Sequence, residues 1–255
     1  MIKALIRNAL GRAGFAIINT RRHHDLDGLF TVHSDHFRHD PAFQAAYQRG
    51  LQATDGVDPH FEWRVHVALW AASCALQVPG DFVECGVNKG FISSAIMQRL
   101  SWGKVAKHFY LVDTFAGPIP SQFSSGEIHS GKLAANASLM AAGAYETDFA
   151  RVRANFAEWP NAAVVQGAVP DVLPLINLPR VAFLHLDMNC AYPECAALEY
   201  LWNLLSPGAL VLLDDYAYFG YESQMEAIDK LAQSLGFDVL SLPTGQGMIR
   251  KGSTA

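Results

Sequence analysis

Beyond residue 80 the chain alternates short apolar runs with segments of helical periodicity, and this alternation restricts the fold more than any other feature. The runs are Asp81–Cys85, 108–112, Ala162–Gln166, Val181–Leu186 and 209–213, with a closing pair near 237–240 and Gly247–Arg250. Apolar residues at helical spacing fall between them near 90–101, 145–157, 193–205 and 221–235, with Pro207-Gly208 and Gly236 as stops. Strands this short and apolar are buried on both faces, and helices join parallel neighbours through right-handed crossovers. The expectation is an α/β fold with a doubly wound, mostly parallel, seven-stranded sheet.

Upstream the pattern is less regular. A helical N-terminal extension over 1–57 is expected to precede a main domain over 58–255. Within 1–22, Ile2, Leu5, Ile6, Leu10 and Ile17 lie near helical spacing among Lys3, Arg7 and Arg12. That is the pattern of a helix packed on its own domain and, less often, of one lying on a membrane surface. Residues 23–40 read as a loop, whose His33, His36 and His39 lack the second ligand pair a zinc site needs. A helix is expected over 41–49, and Asp58-Pro59 reads as the N-cap and first position of a long amphipathic helix over 61–76. The connection 114–161 is too long for a plain crossover, and its Gly-, Pro- and Ser-rich part, 117–132, reads as a mobile lid.

Composition limits the partners. Of 255 residues, 51% are hydrophobic and 17% charged, which excludes disorder. The net charge of -5 is spread without a basic face, so nucleic acid is not an expected partner and a small or neutral acceptor is. No run approaches the roughly 18 apolar residues of a membrane span, and no secretion signal opens the chain. Cys74, Cys85, Cys190 and Cys195 show no CxxC spacing, the pattern of reduced thiols in a cytoplasmic protein. The apolar extension is compatible with a homodimer.

Ligands of open α/β sheets bind outside the carboxyl ends of the strands, so residues that follow each apolar run are the candidates. After the first run, Gly86 and Gly90 permit a sharp turn and a close backbone approach. Their G-x-x-x-G spacing departs from the dinucleotide fingerprint, and Glu84 before them would repel a pyrophosphate but accept an ammonium group. The guest this favours is a nucleoside that carries an amino acid. Asp113, at the end of FYLVD, can accept two ribose hydroxyls. Asp187, Asp214 and Asp215 end what should be neighbouring strands; such converging carboxylates suit Mg²⁺ or another hard divalent cation, their alternative being helix caps or lysine partners.

The ECGVNKG loop, the VDTF strand end, LHLDMN and PGALVLLDDY, in this order over roughly 58–250, resemble the macrocin O-methyltransferase family. These are class I, Rossmann-like, Mg²⁺-dependent sugar O-methyltransferases. The resemblance implies that Glu84, Gly86, Asn88 and Gly90 hold the methionine part of S-adenosylmethionine and Asp113 its ribose. It also implies that Gln166, Gly167 and Ala168 follow the adenine, that Asp187, Asp214 and Asp215 bind the metal, and that the acceptor is a sugar hydroxyl of a glycan or small glycoside. One departure stands out. Several family members carry a second acid, a proposed base, two residues after the strand-end Asp; here the position is Asn189, which cannot take a proton. Either the metal alone activates the hydroxyl or another group does, and His185, on the same strand face as Asp187, is a candidate. A catalytically silent nucleoside-binding protein and, less favoured, a nicotinamide-dependent reductase are the competing functions.

Overall fold

The computed structural model describes residues 6, 10–15, 24–26, 28–31 and 33–253. Most of the segment 1–22, and with it the expected packed or membrane-surface helix, lies outside the described residues. Among the described residues no helix is long and apolar enough to cross a membrane.

The strands are β1 (Asp81–Cys85), β2 (Phe109–Asp113), β3 (Ala162–Gln166), β4 (Val181–Leu186), β5 (Leu205–Leu213), β6 (Leu240–Ser241) and β7 (Gly247–Arg250). They form one seven-stranded sheet in the order 3-2-1-4-5-7-6. The first five are parallel, and β7 runs antiparallel to β5 and β6. Strand order reverses between β1 and β4, and the crevice of a doubly wound sheet opens there. The alternation read in the sequence thus gives the expected fold.

Period-two alternation sorts the strand residues onto two covered faces. Phe82, Phe109 and Phe183 join one buried cluster with α1 (Pro41–Ala53), α2 (Glu62–Ala75) and α3 (Phe91–Leu100). Val83, Val112, Leu184 and Leu186 join the other with α7 (Ala191–Leu201) and α8 (Glu222–Leu235). Between the two groups of helices come α4 (Ser125–His129), α5 (Lys132–Ala141) and α6 (Phe149–Asn155). Helix α1 packs closely across α3: Gly50 leaves room for the Phe91 ring, which a Cβ would meet at 2.5 Å.

Several local expectations need correction. Helix α2 starts at Glu62, not at Pro59, because the Asp58 carboxylate accepts the Tyr47 hydroxyl at 2.5 Å and the His60 amide at 2.8 Å and caps nothing. Residues 23–40 are not all loop: His24–Leu26 pairs antiparallel with Leu29–Thr31, and His36–His39 forms a 3₁₀ turn. Pro207-Gly208 does not turn the chain; β5 already begins at Leu205, paired with Val181, and the register shifts past an irregularity at which Gly208 takes φ 87°. The expected mobile lid carries α4, whose Ser124 and Glu127 make a capping box, and α5, whose Lys132 bonds Gln224 of α8 at 2.8 Å.

Candidate active site

At the carboxyl ends of β1, β2 and β4 the chain encloses a cleft of about 710 Å³. Gly86 ends β1 at φ 94°, and a Cβ there would lie 1.8 Å from the Asp187 carbonyl oxygen. The loops after β1 and β4 therefore touch through a contact only glycine allows. Asp113, at the end of β2, accepts the Asn88 amide at 2.8 Å on Oδ2 and the Phe115 amide at 2.8 Å on Oδ1. The Thr114 hydroxyl also reaches Oδ1, at 3.4 Å, so the carboxylate is fixed and Oδ2 keeps a second lone pair for a ligand. Gly86, Asn88, Asp113, Gly167, Asp187 and Asn189 all line this one cleft.

Other expected site residues lie elsewhere. Gly90 starts α3 at φ 85° with the Phe156 ring packed against it, and Gln166 is exposed, donating to the Thr114 carbonyl at 3.3 Å. Neither these two nor Ala168 lines the cleft. Glu84 and His185 lie beneath its floor, 2% and 1% exposed, because alternation points them to the face that α2 covers. They are register neighbours, and Glu84 Oε1 is 2.7 Å from His185 Nδ1. On its other side His185 Nε2 stands 3.6 Å from Asp214 Oδ1. Burial alone would depress the imidazole pKa, but these two carboxylates raise it well above the ordinary histidine value. His185 is thus a buried imidazole set between two carboxylates, without a face on the cleft.

Asp214 and Asp215 meet Arg64 of α2. Its Nη1 donates to Asp214 Oδ2 and, at 3.1 Å, to Asp215 Oδ1, and the guanidinium lies 4.5 Å from the centre of the Tyr218 ring. Gln246 Nε2 donates to Asp214 Oδ1 at 2.8 Å. Burial would raise the Asp214 pKa, but Arg64 and His185 hold it well below the ordinary carboxylate range. Burial and the Asp214 charge push Asp215 up to about 6. Desolvation and the charges of Asp214 and Asp215 raise the pKa of Asp187, which is half-buried at the cleft wall, well above the ordinary carboxylate value. Asp214 and Asp215 therefore gather beside Asp187, with Arg64 as the cation that pairs with them. Their oxygens suit a hard divalent ion by chemistry. Among the described residues, however, no group of side chains is arranged as a metal-ligand set, since Arg64 and Gln246 already engage Asp214 and Asp215.

The sequence reading missed Tyr145 and Glu146, which line the cleft from the connection between α5 and α6. They were assigned to a helix. The overlooked signal is Asp148, an N-cap whose side chain accepts the Arg151 amide at 3.1 Å, so that α6 starts at Phe149 and Tyr145 stays in the loop.

Comparison with known proteins places this geometry in a family. The family model described as Macrocin-O-methyltransferase (TylF) matches residues 67–237, a span that holds Gly86, Asp113, Asp187 and Asp214-Asp215. A curated relative from Streptomyces olivaceus, 8-demethyl-8-(2,3-dimethoxy-alpha-L-rhamnosyl)-tetracenomycin-C 4'-O-methyltransferase, is 32% identical over 155 residues, 55% of this chain. The matched stretch spans about half, 54%, of that relative's length. Among solved structures, the O-methyltransferase NovP aligns over 74% of this chain and 80% of its own at 18% identity, with a TM-score of 0.63. The calicheamicin-biosynthesis protein CalS11, a TDP-rhamnose 3'-O-methyltransferase, aligns over 82% of this chain and 94% of its own at 16% identity, with a TM-score of 0.53. These two share the fold, and the family model, which covers well over half of the chain, shows that it belongs to the macrocin O-methyltransferase family.

Proposed function

We propose that the chain is an S-adenosylmethionine-dependent O-methyltransferase acting on a hydroxyl of a sugar or glycoside, with a divalent cation assisting at Asp187, Asp214 and Asp215. One observation carries the reading: Asp113 and Asp187 line one cleft on either side of the Gly86 turn, in a chain of this family. The rhamnosyl acceptor named for the Streptomyces olivaceus relative supports a deoxysugar glycoside as substrate class.

In this reading Asp113 accepts the ribose hydroxyls, the Gly86 turn lets the methionine part approach the backbone, and Gly167 lies along the adenine. Asp187 faces the acceptor. The acceptor oxygen attacks the sulfonium methyl in line, the carbon–sulfur bond breaks to a neutral thioether, and the hydroxyl proton leaves. That proton passes to water in the cleft, and Asp187, which lines the cleft, orients the hydroxyl from which it leaves. His185, buried away from the acceptor, acts by holding Asp214 in place, and Glu84 acts through His185. Bound at the three aspartates, a hard cation such as Mg²⁺ would stabilise charge developing on the acceptor oxygen. Most of the rate comes from alignment, which contributes roughly 7 to 11 kcal/mol when reacting atoms are held in line.

The test is transfer of a labelled methyl group from S-adenosylmethionine to a panel of rhamnosides, with Mg²⁺ or with EDTA. The expected result is cation-dependent labelling that Asp187→Asn abolishes while nucleoside binding persists. Equal loss of both in that variant contradicts the role given to Asp187. Nucleoside binding without transfer to any acceptor would favour the silent-binder reading that Asn189 suggests.

A further inference from the structure

Tyr145 is held at three points. The Asn88 side chain bridges the residues on either side of it: Nδ2 donates to the Ala144 carbonyl at 3.0 Å, and Oδ1 accepts the Glu146 amide at 2.8 Å. The Tyr145 hydroxyl donates to Oδ1 of Asn136, a buried side chain of α5 that itself donates to the Lys132 carbonyl at 3.0 Å. Asn88 is tied in turn to the end of β2, because its amide donates to Asp113 Oδ2. One chain of bonds thus runs from the carboxylate read as the ribose acceptor, through Asn88, to the backbone flanking Tyr145. The side chain of Asn88, expected to touch the ligand, serves as a latch.

The position of the ring matters more than its attachment. Tyr145 lines the same cleft as Asp113 and Asp187. Its phenol pKa is pushed up to about 12 by burial and by the charges of Asp187, Asp215 and Asp113, so carboxylates from both ends of the cleft act on it. In S-adenosylmethionine the group between the ribose and the transferred methyl is the sulfonium. The half-buried Tyr145 ring lines the cleft that holds Asp113 and Asp187 at its wall, and an aromatic ring attracts a neighbouring cation through the negative face of its π-system.

We propose that Tyr145, positioned by Asn88 and Asn136, is the residue that recognises the positive sulfonium of the cofactor and holds it in line with Asp187. The proposal rests on the methyltransferase reading and goes beyond it by assigning charge recognition to one aromatic side chain. It makes Tyr145 selective for the reactive cofactor over its product, S-adenosylhomocysteine, which lacks both the methyl group and the charge. The step balances: once the methyl has gone to the acceptor oxygen, the sulfur is a neutral thioether and the contact with the ring weakens.

The experiment is calorimetric titration of the intact protein with S-adenosylmethionine and, separately, with S-adenosylhomocysteine, comparing wild type, Tyr145→Phe and Tyr145→Leu. Tyr145→Phe keeps the ring and is expected to keep the ratio of the two affinities within about twofold. Tyr145→Leu is expected to lose about tenfold in affinity for the sulfonium ligand and less than about threefold for the thioether. A ring that only fills space would give equal losses for both ligands, and that result overturns the proposal. Should Tyr145→Leu fail to fold, progressive ring fluorination of the Tyr145→Phe protein gives the same reading, because it withdraws charge from the ring face at nearly constant size. A sulfonium preference that falls with each fluorine supports the proposal, and one that stays flat overturns it. Failure of wild type to bind either ligand would instead remove the methyltransferase reading itself.

Discussion

The Tyr221 hydroxyl donates to Asn189 Oδ1 at 2.5 Å, and Asn189 holds φ at 57°, a left-handed conformation that asparagine tolerates better than most residues. With its oxygen turned to Tyr221, Asn189 is left with its amide N–H groups for the cleft it lines. It can donate to an acceptor oxygen but cannot take a proton. Tyr221 is itself steadied by the Lys132 ammonium, 3.7 Å from the centre of its ring. Tyr221→Phe removes one hydrogen bond, of about 0.5–1.5 kcal/mol, and frees the amide to turn. The expected outcome is a fall of up to about tenfold in kcat/KM for the acceptor with nucleoside affinity unchanged, read from steady-state methyl transfer beside calorimetry.

Arg64 neutralises part of the charge on Asp214 and Asp215 from within the fold. Arg64→Met leaves those carboxylates buried without that cation, a change that typically costs 3–5 kcal/mol. A divalent ion that binds the same three aspartates should then matter more to the variant than to wild type. Thermal melts are expected to show a lowered Tm for Arg64→Met and a larger rise on adding Mg²⁺ than wild type shows. Identical Mg²⁺ responses would contradict a cation site at Asp187, Asp214 and Asp215.

Gly86 and Gly90 both hold positive φ, 94° and 85°, so alanine is strained at either. They differ in what the new Cβ meets. At 86 it strikes the Asp187 carbonyl at 1.8 Å, whereas at 90 it strikes the Phe156 side chain at 2.6 Å, which can shift. Gly86→Ala is therefore expected to cost about 3 kcal/mol or more and Gly90→Ala less, as measured by urea unfolding. The reverse order would show that the strand-end contact is not rigid.

Glu194, 1% exposed in the first turn of α7, accepts the Met188 amide at 3.0 Å. Burial pushes its pKa up from 4.5 to about 7. The folded protein thus holds this proton more tightly than the unfolded chain does. The stability it contributes is complete below pH 4.5 and is lost as pH rises through about 7, a change on the order of 3 kcal/mol. Glu194→Gln keeps an acceptor for the amide and removes the ionisation. Urea melts at pH 5 and pH 8 should show wild type losing more stability than the variant between the two; parallel losses would contradict the assignment.

How far the sequence could be read follows from how local each signal is. The parallel sheet was legible because each strand carries its own apolar run, and the shared cleft position of Gly86, Asp113 and Asp187 because each stands at the end of such a run. Glu84 and His185 were placed on the ligand side, yet period two turns them to the face α2 covers, where they pair as register neighbours. Arg64 escaped notice because its partners, Asp214 and Asp215, lie 150 residues away and no spacing announces them. Asp58 resembled a cap, but the Tyr47 hydroxyl and the His60 amide engage it in the folded chain. Tyr145 was lost to an assumed helix that Asp148 starts four residues later. The departures therefore concentrate where tertiary partners, rather than neighbours in sequence, decide what a side chain does.

The most direct measurement is calorimetric titration of the purified protein with S-adenosylhomocysteine, with and without Mg²⁺, beside an Asp113→Ala variant. The account predicts one-to-one binding by wild type under both conditions and much weaker binding by the variant, which lacks the carboxylate proposed to accept the ribose hydroxyls. No detectable binding by wild type under either condition would contradict it and assign the cleft to another ligand.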